Sequence, residues 1–188
     1  MPRKFRKRRR PKWPDPIRPE LLLHPNIPKP LHGLNPRTLL GKKWWDEQRA
    51  IAYAVHNDRC WACGVHKSNA LFRKWLEAHE HYDYDYEKGR AELKEIVALC
   101  NPCHNYIHSG RLEALKTKGQ ITKYQYDTII KHGHTVLDFA NLPHRLPTPT
   151  MYVRWSDWRL VINGKEYEPL FGSLQEWAKN YGVTLEPE

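Results

Sequence analysis

The sequence predicts an α+β fold in which short strands and a helix are stapled together by a bound metal. Three observations carry that expectation. All four cysteines of the 188-residue chain fall into two Cys-x-x-Cys knuckles, Cys60/Cys63 and Cys100/Cys103. Around those knuckles two strand patterns are followed by a helix pattern. Near the C-terminus, Asn163-Gly164 separates two strand-like runs, and this dipeptide suits the positive φ angles of a type I′ hairpin turn.

The knuckles specify the metal. Two thiolates three positions apart can hold one ion from a tight turn, and two such turns give the four soft ligands that tetrahedral zinc prefers. The alternative, two disulfides, would need an oxidising compartment, and the basic start leads into prolines where a secretion signal would have an apolar stretch. A structural zinc in a reducing compartment, cytoplasmic or nuclear, is therefore expected. With four thiolates around it that ion has no open position for water, so catalysis would need a second site. No apolar run approaches the roughly 20 residues that span a bilayer, so no membrane association is expected.

Taken in order, the chain begins with a basic arm. The formal net charge is +10, yet residues 1–43 hold 13 Lys/Arg against Asp15 and Glu20, or +11, while the remainder sums to −1. Arg3, Lys4, Arg6, Lys7, Arg8, Arg9, Arg10 and Lys12 crowd its start, and nine of the fifteen prolines lie between Pro2 and Pro36. Charge repulsion and proline keep such a segment extended when free, and its natural partner is a polyanion whose counterions it releases. A localisation signal is the plainer reading of the same residues.

Residues 44–141 read as the metal-stapled domain with a helical extension. Residues 44–57 have helical spacing in Trp45, Ile51, Ala52 and Val55, with Asp46 and Glu47 opposing the dipole in the first turn. Residues 75–81 alternate as a strand, with Trp75, Glu77, His79 and His81 on one face and Leu76, Ala78 and Glu80 on the other. Residues 82–89 read as an exposed loop, and the apolar run 96–99 as a second strand delivering Cys100. A helix from Cys103 places His104 and His108 four apart on one face. Residues 112–116 extend or restart it, and 122–140 form a further helix in which Gly133 is a candidate break. Residues 142–150 read as a linker. Residues 151–188 read as a small separate unit, a hairpin followed by a helix opened by the capping box Ser173-Leu174-Gln175-Glu176, with Trp155, Trp158, Phe171 and Trp177 as its core.

The order Cys-x-x-Cys, Glu77-Ala78-His79-Glu80, then Val97-Ala98-Leu99-Cys100-x-x-Cys103-His104-x-x-x-His108 resembles the zinc-stapled branch of the HNH endonucleases. The resemblance covers residues 60–108, about a quarter of the chain. It implies a ββα-metal core in which a hairpin and a helix grip one divalent ion, Mg²⁺, Mn²⁺, Ni²⁺ or Zn²⁺, apart from the structural zinc. Carried over by position, either His79 is the first ligand with Glu80 as base, or His79 is the general base with Glu77 or His81 taking part in binding the ion, and His108 is the helix ligand. His104 is a further ligand or a packing residue. Two positions depart from the family pattern: the residue before His79 is Ala78, and Glu95 stands where the middle Asn is expected.

The function this implies is hydrolysis of nucleic-acid phosphodiester bonds, with DNA favoured over RNA. Imidazole suits both the base and the ligand roles of that chemistry. The competing expectation is a catalytically silent zinc module that binds nucleic acid or a nucleoprotein assembly through its arm. A protein partner could dock on the C-terminal unit in either case.

Overall fold

The computed structural model describes residues 17–147, 149–150 and 152–185. It is a mixed α+β structure with a four-stranded sheet and five α-helices among those residues. The cluster Arg3–Arg10 with Lys12 lies outside them. No helix of the described residues is long and apolar enough to cross a membrane.

The end of the arm is folded, against the expectation of an extended segment. Two short 3-10 turns, Pro19–Leu23 and Lys29–Leu31, bury Leu21, Leu22 and Leu31. Proline blocks an α-helix, but it does not stop interspersed leucines from packing. Leu21 and Leu22 join the core around the knuckles, while Leu31 and Leu34 join a second core with Tyr82, Trp158 and Leu160.

Helix α1, Pro36–Val55, starts eight residues before the apolar periodicity does. Asn35 caps it by accepting the Thr38 N–H at 3.0 Å, and Pro36 fits the first turn, where its missing N–H costs nothing. Gly41, at φ +87°, kinks it. Ala52 is buried, but Ile51 and Val55 are exposed. The sheet covers one narrow stripe of this helix, so its apolar periodicity overstates what is buried.

Strands β1, Leu76–Asp85, and β2, Arg90–Cys100, form an antiparallel hairpin longer than the two runs predicted. The tyrosines and acids of residues 82–85, expected in a loop, continue β1: Tyr82 is buried in the second core, and Asp85 accepts the N–H groups of Glu87 and Lys88 to shape the turn. Alternation of aromatic and acidic residues is a strand with one wet face, and tertiary burial of the tyrosines decides the case. The register shifts between His81 and Tyr82, which leaves Lys94 unpaired in a bulge.

Helix α2, Asn101–Ile107, follows β2 directly, then α3, Ser109–Thr117, and α4, Lys123–Phe139. A capping box of Thr122 and Gln125 opens α4. Gly133 does not break that helix. Its absent side chain is where the Tyr106 ring sits: a Cβ there would lie 2.1 Å from Cδ2, and the ring is anchored by its hydroxyl donating to His144 O at 3.0 Å. Gly133→Ala is expected to lower stability by about 1–3 kcal/mol through overpacking, despite alanine's better helix propensity. Urea denaturation of the two proteins measures this.

Strands β3, Arg159–Ile162, and β4, Lys165–Tyr167, flank a turn in which Asn163 and Gly164 both have positive φ. Helix α5, Leu174–Tyr181, is capped by Ser173 and ends at left-handed Gly182. Residues 152–158 are not strand, and this hairpin does not stand alone. Strand β3 pairs in parallel with β2 at Arg90–Glu92, Trp158 is fully buried, and Trp177 donates to His32 of the folded arm at 3.1 Å. Too short to bury its own face, the hairpin completes the sheet instead.

Candidate metal centre

Each knuckle is a backbone device. In the first, Cys60 N–H donates to Val65 O and Gly64 N–H to Cys60 O, with Gly64 at the positive φ that the tight turn requires. In the second, Cys100 ends β2 as the N-cap of α2, and Pro102 occupies the first turn. The two turns meet because Trp61 N–H donates to Ala98 O on β2 at 2.9 Å. All four cysteines are buried, none forms a disulfide, and their Sγ atoms lie within 4.8 Å of one another. The Cys63–Cys100 Sγ distance is 3.7 Å. Four ligands at a metal–sulfur distance of about 2.3 Å stand about 3.8 Å apart at the corners of a tetrahedron, so the cluster can hold a metal ion. Burial pushes the Cys103 thiol well up, so the charge of a cation is what makes thiolates tenable here. His132, which has no motif to mark it in the sequence, lies with Nε2 3.3 Å from Cys103 Sγ and can donate to that thiolate.

A second cluster stands on the β1–β2 hairpin and α2. Ligand atoms of His79, His104 and His108 lie within 4.8 Å of one another, with ring centroids 4.9 Å apart for His79–His108 and 5.5 Å for His79–His104. Local chemistry orients each ring. His104 Nδ1–H donates to Glu77 Oε2 at 2.6 Å, which leaves Nε2 with its lone pair free. Glu77 also accepts from Asn101 Nδ2 at 2.8 Å and Arg73 at 3.2 Å. Burial alone would raise the Glu77 pKa, but the His104 and Asn101 hydrogen bonds and the His104 and Arg73 charges outweigh it and hold the carboxyl at about 2. His79 is 4% exposed, and neither of its ring nitrogens has a hydrogen-bond partner. Burial first, then the His108, His104, His24 and His81 charges, lower its pKa well below the ordinary value. His108 is lowered to about 4 by burial and by its neighbours His104 and Arg111. Neutral imidazoles are the form that binds a cation.

Glu80, predicted as a possible base, stands on β1 opposite Ile96 and outside the three-histidine cluster; burial raises its pKa. Glu95 is occupied, accepting from Arg18 at 2.5 Å and facing His81 Nδ1 at 3.2 Å. Between them, His81 is oriented by Glu95 rather than joined to the cluster.

His24 is invisible to sequence spacing, being 58 positions from its partner. Its Nε2 accepts the Tyr82 N–H at 3.0 Å, covering the open edge of β1, and its ring stands 5.4 Å from His79. Burial, with the His81 charge, lowers its pKa to about 4. The unfolded chain therefore binds the proton first. His24 contributes stability in full above about pH 6.5 and loses it as pH falls towards 4, costing ~2 kcal/mol at pH 5. Denaturation midpoints at pH 7 and pH 5 should differ in that direction, and His24→Gln should reduce the difference.

Two clusters of side chains able to ligate a metal, a buried one of four cysteines and a partly buried one of three histidines, thus both draw residues from the β1–β2 hairpin and α2. Comparison of the chain with protein-family models, with curated proteins and with solved structures gives no match, so its functional reading rests on its own residues.

Proposed function

We propose that the chain is a metal-dependent endonuclease of the HNH type, with a structural zinc in the four-cysteine cluster and a second divalent ion at the histidines. One observation carries the reading: His79 is buried with both nitrogens unpartnered, facing two more imidazoles, His104 on α2 and His108 at its C-cap. An unsatisfied buried polar group is destabilising, so its retention points to a ligand or a reacting atom. The order hairpin then helix, with the cysteine cluster at the base, agrees with a ββα-metal core.

Roles follow from hydrogen-bond state. His104, committed to Glu77 through Nδ1, and His108 hold the ion. A divalent ion here would supply charge to the phosphoryl and leaving oxygens. His79, uncommitted at both nitrogens, takes the proton from the attacking water. The arm, rich in Lys and Arg, supplies sequence-independent attraction to the polyanion.

A silent nucleic-acid-binding module is the second reading, favoured by Glu95 standing at the expected Asn position and being engaged with Arg18. Incubation of zinc-loaded protein with supercoiled plasmid and Mg²⁺, Mn²⁺ or Ni²⁺ separates the two. Nicking supports the hydrolase; binding without nicking under every ion supports the silent module.

A further inference from the structure

A groove of about 350 Å³ runs beside the histidine cluster, between the loop at Phe72–Arg73 and helices α2 and α3. It is linked to the histidines by hydrogen bonds: its polar lining residues Arg73 and Asn101 donate to Glu77, and Glu77 accepts from His104. On the opposite side stands Arg111. Its guanidinium donates only to the neutral Asn105 Oδ1, at 3.2 Å, and forms no ion pair among the described residues. Its charge nonetheless reaches His108. The floor is apolar, with Leu112 and Ile129 buried. At the mouth Phe72 is 40% exposed and sits at φ +63°, a left-handed conformation that is costly for a bulky residue.

An unpaired guanidinium, an apolar floor and an exposed ring around a volume at the low end of ligand pockets match one nucleotide: a phosphate for the cation and a base for the ring. We propose that this groove binds an unpaired nucleotide flanking the cleaved phosphate, with Arg111 on a backbone phosphate and Phe72 stacked on the base. The substrate is then single-stranded or locally opened nucleic acid, since a base inside a duplex is already stacked and cannot enter. The proposal rests on the hydrolase reading for its register but not for its binding.

The test is fluorescence anisotropy of a labelled single-stranded 12-mer, and of the matching duplex, with full-length zinc-loaded protein and no added second ion. The basic arm is the same in every variant and cancels in the comparison. Arg111→Ala should weaken single-strand binding and reduce the slope of log K against log salt by about 0.7, the loss of one phosphate contact, with Arg111→Lys restoring the slope. Phe72→Ala should weaken single-strand binding about tenfold at unchanged salt slope, the loss of one stacked base. It should leave duplex binding unaltered, and Phe72→Tyr should retain single-strand affinity. Both side chains lie at the surface of the groove, and circular dichroism checks that the fold is retained. Single-strand binding unchanged in both alanine variants, or equal losses on single strand and duplex, overturns the proposal. If these shifts appear while no ion supports cleavage, the groove stands and the hydrolase reading falls. If plasmid is nicked while both variants bind and cut as the parent does, the groove reading alone falls.

Discussion

Cys103→Ser is expected to unfold the protein. A bound structural zinc contributes on the order of 10–16 kcal/mol of apparent binding free energy, and a domain's whole stability is about 5–15 kcal/mol. The cysteine cluster ties the turn at residues 60–64 to the end of β2 and the start of α2, so the ion's loss frees three elements at once. The measurement is metal content by mass spectrometry under native conditions together with the thermal transition. Stoichiometry should fall from one ion in this site towards none, and the cooperative transition should disappear. His132→Ala is the graded companion: removing the donor to Cys103 should weaken metal affinity about 10–100-fold without unfolding the chain. A Cys103→Ser protein that still melts cooperatively at the parent temperature would show that the ion is not structural.

The second large effect separates function from stability at one position. His79→Leu should abolish nicking, by a factor of about 10²–10⁴ for the loss of a general base, while making the fold more stable when the second ion is absent. The sign follows from burial. The parent buries two ring nitrogens without partners, each costing about 1–3 kcal/mol, and leucine buries neither. A core histidine with satisfied hydrogen bonds would behave in the opposite way, its loss destabilising the protein. Chemical denaturation beside plasmid nicking reads both halves. Lower stability in the leucine variant would place His79 in a packing role and remove the observation on which the endonuclease reading stands.

Much of this site is legible in the sequence because its geometry is local. Cys-x-x-Cys spacing sets two Sγ atoms on one turn, and the separation of four brings His108 beside His104, although α2 ends at Ile107 and His108 is its non-helical C-cap rather than a residue of the predicted helix face. The Asn163-Gly164 turn and the Ser173 cap are legible for the same reason, each being decided by residues within a few positions. The strand bounds are not. Residues 82–85 look like a polar loop until Tyr82 is seen buried in one core with Leu31 and Trp158, residues from distant parts of the chain. Ile51 and Val55 mislead in the other direction, since helical periodicity marks a stripe that can be buried without showing how much of it has a neighbour.

Sequence alone therefore determined which side chains could ligate a metal: four cysteines in two knuckles and imidazoles on the adjoining strand and helix end. Tertiary structure decided everything that depends on distant residues meeting. It set Glu77 and Asn101 behind His104, brought His24 from the arm to the edge of β1, and put His132 beside Cys103 Sγ. It also folded residues 17–43 onto both cores and joined the C-terminal hairpin to β2. The physical reason is that short-range spacing fixes which atoms can ligate, while burial, which removes water and leaves His79 without a partner, is a property of the whole packed chain.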